Sequence, residues 1–151
     1  MIFIRFIPRS IKSFIFVTIQ FICIGIIAFT GKIFSENIYL NCTIIPFLFL
    51  GLWAIIVMKF NFNVAPEVVE NAELRTNGPY KLIRHPMYTS VLGITLIWEF
   101  YHFTYFRFII WIILLIDLLF KLFYEEKLIE SNFKLYRNYK LKTKRLIPFI
   151  F

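Results

Sequence analysis

The chain has 151 residues, 60% of them hydrophobic and 21% aromatic, and carries a formal net charge of +8. Its mean hydropathy of +0.74 excludes an ordinary water-soluble domain, because a core of this size cannot hide that much apolar surface and lipid is the expected solvent. The length suits one domain over 1–151, and membrane orientation accounts for the basic excess without a nucleic-acid partner.

The first apolar run is Ser13 to Thr30, "SFIFVTIQFICIGIIAFT". It is free of charge, and its 18 residues reach roughly 27 Å as a helix. No small-x-small cleavage pattern follows it, so it is expected to persist as a span rather than be removed as a signal peptide. The second run, Thr43 to Met58, is short and is expected to borrow Ile38 to Leu40 at its start. Pro46 falls in its first turn, where proline is tolerated. Cys23 and Cys42 lack metal-ligand or disulfide-framework spacing, and both read as packing residues.

A polar stretch from Lys59 to His85 follows, opening a third run, Met87 to Phe100. The fourth, Phe106 to Phe123, is separated from it by little more than "YHFTY", so the two read as a helical hairpin. The expected fold is therefore all-α: a polytopic membrane helix bundle of four spans with a C-terminal hairpin and a basic tail. Fifteen of the 17 basic residues lie in the N-terminal arm, the 59–86 loop and the segment from Lys121 onward. Four spans put all three on one side, and the positive-inside rule makes that side, with both termini, cytoplasmic. The tail residues Lys140, Lys142, Lys144 and Arg145 suit an anionic leaflet equally well.

Polar residues inside the runs are informative. Asp117, Lys121 and Glu125 recur every fourth residue, on one helix face. An intramembrane carboxylate is costly and needs a partner or a wet cavity; a simple Asp117–Lys121 pair locking the hairpin would suffice. Glu125 and Glu126 are expected at the helix exit, where the dipole disfavours acids and another group, such as Arg84 or His85, must favour them. Glu99, His102 and Arg107 read as snorkelling interfacial residues at the far end of the hairpin.

The segment "GPYKLIRHPMYTS" supplies the other wall. "NGP" marks a turn, and Pro86 suits the first turn of a helix. Free N–H groups there, with Arg84 as a two-pronged donor, favour a carboxylate or phosphate. His85 and Tyr88 each offer one directed hydrogen bond. With Lys121 and Glu125 from the antiparallel partner, these residues form either a polar cup for a zwitterionic ligand or merely a headgroup anchor.

"LRTNGPYKLIRHPMY" followed by "EEKLIESNFKLYRNYKLKTKRLIPFIF" resembles the isoprenylcysteine carboxyl methyltransferase and phospholipid methyltransferase group of integral membrane enzymes. The resemblance covers residues 72 to 151. It implies S-adenosylmethionine as cofactor, held by Ala72, Glu73, Leu74, Arg75, Tyr80, His85, Pro86, Met87, Tyr88 and Glu125. It implies a lipophilic substrate met by Lys121, where the family has arginine, and catalysis by Glu125 and Lys121. Lysine keeps the charge but loses the planar fork. Ser90 and Lys134 replace family glycines, which permit backbone shapes other residues resist. A carboxylate acceptor needs no general base, whereas an amine acceptor does, and Glu125 or Glu126 would serve. Two rival readings stand beside this one. The closing "RLIPFIF" also resembles the tail of NADPH-dependent sterol reductases, and the departures from the family pattern suit a non-catalytic four-span protein.

Overall fold

The computed structural model describes residues 10–58 and 74–151. Every regular element among them is helical, and one isolated parallel bridge joins Ile83 to Lys144. Helix α1 (Ile11–Phe29) starts at Ser10, whose hydroxyl accepts the Lys12 N–H at 3.3 Å. Helix α2 (Ile38–Cys42) is capped by Asn37, and α3 (Ile45–Val57) carries Pro46 in its first turn. The expected borrowing of Ile38 to Leu40 thus occurs. Among the described residues, Ile11–Phe29 and the 20-residue stretch Ile38–Val57 are the two stretches long and apolar enough to cross a membrane.

Gly78 adopts φ +58°, a conformation that favours glycine, and opens a 3-10 turn over Gly78–Lys81. Helix α4 (Pro86–Tyr101) begins with Pro86 as its first residue and His85 as its N-cap. A short connection leads to α5 (Tyr105–Asn132), capped by the Thr104 side chain. The hairpin is as expected, but its second arm is longer. The helix runs 28 residues, about 42 Å, so Glu125 and Glu126 lie inside it and not at its exit. The dipole penalty expected for them therefore disappears. Helix α6 (Tyr136–Lys142) completes the order.

Helix α1 packs chiefly on α5 and α3 chiefly on α4. The α1–α5 seam is antiparallel. Phe16 meets Tyr124 with ring centroids 6.2 Å apart, Gln20 meets Lys121, and Gly31 meets Arg107. Leu114, Leu118 and Leu122 recur every fourth residue and are buried with Cys23, Ile27 and Leu92. Truncating any one to alanine should cost about 2–5 kcal/mol through the cavity left behind. On the α3–α4 seam, a Cβ on Gly93 would collide with the Phe47 ring. Ser90 donates to the Phe47 carbonyl at 2.6 Å.

Two packing expectations need correction. Cys23 is buried as expected, but Cys42 is exposed. Arg107 and Glu99 do not snorkel. They are 1% and 2% exposed and paired at 3.3 Å, and Arg107 also donates to the Trp98 carbonyl at 3.1 Å. Gly31 makes room for the guanidinium, since a Cβ there would overlap it. Only His102 of that trio is exposed.

Candidate functional site: a buried charge cluster between two motifs

The cluster forms where the start of α4 meets the middle of α5. Three backbone bonds hold the approach segment against the C-terminal strand of chain. Arg84 N–H donates to Lys144 O at 2.7 Å, His85 N–H to Arg145 O at 3.0 Å, and Lys144 N–H to Leu82 O at 3.2 Å. Thr89 Oγ1 adds a bond to Leu146 O at 2.8 Å. The tail itself closes on the Phe151 carbonyl, which accepts from Leu146 and Ile147 at 2.7 and 2.8 Å, and Phe149 adopts φ 67° within that closure.

Arg84 and Glu126 form the centre. Arg84 Nε lies 2.7 Å from Glu126 Oε1, and both side chains are almost fully buried. Arg84 Nη1 donates to the Thr143 carbonyl and, at 3.3 Å, to the Lys140 carbonyl. Glu126 also has Arg145 Nε at 3.3 Å and His85 Nε2 at 3.7 Å. The Arg145 guanidinium lies over the rings of Phe123 and Phe151 at 5.1 and 5.2 Å. Burial alone would raise the Glu126 carboxyl. Contacts from His85 and Arg84 outweigh it and hold the group at about 2. The free guanidinium expected of Arg84 is thus already engaged, and so are the Arg84 and His85 N–H groups.

Glu125 faces the other side of the same turn. It accepts from Tyr88 OH at 2.5 Å and lies 3.4 Å from His85 Nδ1. The His85 and Tyr88 rings stack at 5.3 Å with a 10° interplanar angle. Burial would lower the His85 pKa, but the two carboxylates beside it raise it. Lys121, one turn back on α5, is 1% exposed. Its Nζ lies 5.0 Å from the Tyr88 ring centroid and donates to Gln20 Oε1 at 2.7 Å. Lys121 therefore turns to α1 and does not form the anticipated ion pair with Asp117. Gln20 escaped the sequence reading because nothing but a lone amide in an apolar run marks it. The signal available was that amide itself, since a buried amide needs a partner.

The remaining predicted residues divide. Tyr80 is buried and its carbonyl accepts from Tyr139 OH at 2.5 Å. Pro86 is buried, while Met87, Leu74 and Arg75 are half-buried. Ala72 and Glu73 lie outside the described residues. Lys134 sits in the α5–α6 turn without a positive φ, so that position does not require glycine. Ser90, the other departure, is absorbed by its bond to α3.

Two buried polar atoms around the cluster, Tyr80 Oη and Tyr136 Oη, lack hydrogen-bond partners, and His85 Nε2 has only Glu126 Oε1 at 3.7 Å, beyond hydrogen-bond length. Buried orphans of this kind call for an explanation, such as a ligand. Tyr80 Oη and His85 Nε2 belong to the residues to which the resemblance assigns the cofactor. They can donate to a carboxylate or hydroxyl, so these residues fit such a group chemically. Comparison of the chain with protein-family models, curated proteins and solved structures gave no match.

Proposed function

We propose that the chain is an integral membrane methyltransferase that uses S-adenosylmethionine. Its acceptor is lipophilic: the carboxylate of an isoprenylcysteine-like substrate or a lipid headgroup. One observation carries the reading. The two motifs behind the family resemblance, separated by about forty residues, meet in one buried cluster, with Arg84 on Glu126 and Tyr88 on Glu125. Tyr80, His85, Tyr88 and Glu125, with Leu74 and Arg75 nearby in sequence, are the residues that would hold the cofactor. When bound, it supplies an electrophilic methyl group. The chain's own part is to orient donor and acceptor and keep the site dry, which can account for much of the barrier reduction.

Glu126, held at about 2 by its neighbours, is too acidic to take a proton from an amine near neutral pH. Glu125 is left as the base for an amine acceptor, with Tyr88 and His85 orienting it. Lys121 meets the acceptor, and Gln20 fixes its ammonium.

The four-span arrangement with both termini cytoplasmic belongs to the same proposal. Its support on α5 is a stripe of exposed apolar side chains at helical spacing: Phe106, Ile109, Ile113, Ile116, Phe120 and Phe123. Water would not tolerate so long a patch, whereas lipid solvates it. The buried polar face of α5 then turns toward α1, as expected for charges within a bilayer.

A second reading draws on a specific observation as well. Arg84 and Glu126 already pair, and Glu125 is already engaged by Tyr88 and His85, which suits a non-catalytic four-span protein. Calorimetric titration of the detergent-purified protein separates the readings. Saturable binding of S-adenosylhomocysteine supports the methyltransferase, binding of NADPH alone supports a membrane reductase, and binding of neither by folded protein supports the non-catalytic role.

A further inference from the structure

Asp117 is the acid that the cluster leaves out. It is 5% exposed, and its Oδ2 is buried without a hydrogen-bond partner. Lys121 is close enough to act on it electrostatically but gives its hydrogen bond to Gln20. The carboxylate also acts on Tyr88, whose hydroxyl already donates to Glu125, and on Cys23, across the seam on α1, where a thiol is at best a weak donor. Beyond it Ile27 and Leu114, 1% and 0% exposed, seal the seam.

Its angular position on α5 is equally informative. Asp117 falls between the exposed stripe of Ile113, Ile116 and Phe120 and the buried stripe of Leu114, Leu118 and Lys121. It therefore stands at the edge where the α1–α5 seam meets lipid. Lys121 supplies positive charge near the carboxylate, but Oδ2 is still left without an N–H donor, a costly state at that depth that a cationic donor would relieve. An anionic headgroup would be repelled. A neutral alcohol would supply one donor without charge.

We infer that Asp117 and the adjoining α1–α5 seam form a binding site for the protonated amine of a lipophilic molecule, reached sideways from the bilayer. The hydrocarbon part lies along the apolar stripe of α5, and the ammonium donates to Asp117 Oδ2. The inference rests on the membrane-spanning part of the proposed function and not on methyl transfer, which S-adenosylhomocysteine binding tests separately.

The test is titration of the detergent-purified full chain with dodecylamine, with dodecanol and dodecanoate as matched neutral and anionic probes. The site predicts saturable dodecylamine binding at neutral pH. Losing a charged hydrogen bond, Asp117→Asn should weaken it by about tenfold or more, while Asp117→Glu retains it. Thermal melting checks that each variant is folded. Phe29→Leu, at the exposed far end of α1, should leave amine binding within about threefold of the parent chain. Equal binding of all three probes would overturn the proposal, as would an Asp117→Asn protein that is folded and binds the amine unchanged. Repeating the titration in nanodiscs with and without phosphatidylethanolamine identifies the source of the amine. Competition by that lipid means a headgroup amine reaches the site, and its absence means a free lipophilic amine.

Discussion

Replacing Arg84 by methionine tests the cluster most severely. The substitution keeps much of the side-chain volume and deletes the guanidinium. Glu126 then loses its 2.7 Å partner, and the Thr143 and Lys140 carbonyls lose a donor. Breaking a buried pair by removing one member typically costs about 3–5 kcal/mol, because the other charge stays buried and uncompensated. Arg145 remains 3.3 Å from Glu126, but its side chain is 29% exposed, so its compensation is screened. The lower half of the range, about 3–4 kcal/mol, is therefore expected. Equilibrium unfolding in mixed micelles measures the loss. A double-mutant cycle with Glu126→Gln should return a coupling of about 1–3 kcal/mol. A loss below about 1 kcal/mol, the level of an exposed pair, or strict additivity of the two substitutions would refute the reasoning.

Stability should also peak in a pH window set by the same residues. Glu126 is depressed from 4.5 to about 2. Its contribution is present above about pH 4.5 and is lost as pH falls toward 2, to the extent of roughly 3 kcal/mol. His85 is raised above 6.5, so its contribution is complete below that value and is lost as pH rises through the folded pKa. Melting temperature against pH checks both limbs: Glu126→Gln should flatten the acid limb and His85→Asn the alkaline one. At the other end of the hairpin, Arg107→Met should cost about 3–5 kcal/mol by stranding buried Glu99; a snorkelling arginine would lose under about 1 kcal/mol in the same unfolding assay.

The elements that could be read from sequence were those with local causes. Proline at the start of α4, the Asn-Gly-Pro turn and the break at "YHFTY" act through backbone geometry within a few residues, and each stands where expected. The helical phase of α5 put Lys121 and Glu125 on the face that meets α4. Arg84 and His85 were legible as partners for Glu125 and Glu126, but other long-range partners were not. Gln20 finds Lys121 across 101 residues, and no local pattern encodes that choice. Arg107 has the composition of an interfacial residue, yet Gly31 on another helix lets it sink into the seam. The end of α5 was misplaced because hydrophobic periodicity fades at Phe123 while the helix continues as a polar stretch to Asn132. Arg84 read both as an open ligand donor and as a group that could favour Glu125 or Glu126; it pairs with Glu126, and its further acceptor, the Thr143 carbonyl, comes from a part of the chain that no pattern linked to it.

The most direct test of the central claim is calorimetric titration of the purified chain with S-adenosylhomocysteine, with NADPH as the competing ligand. The account predicts saturable binding of the first, weakened by Glu125→Gln, which replaces the carboxylate that accepts from Tyr88 at 2.5 Å. NADPH binding alone, or folded protein that binds neither ligand, would contradict it.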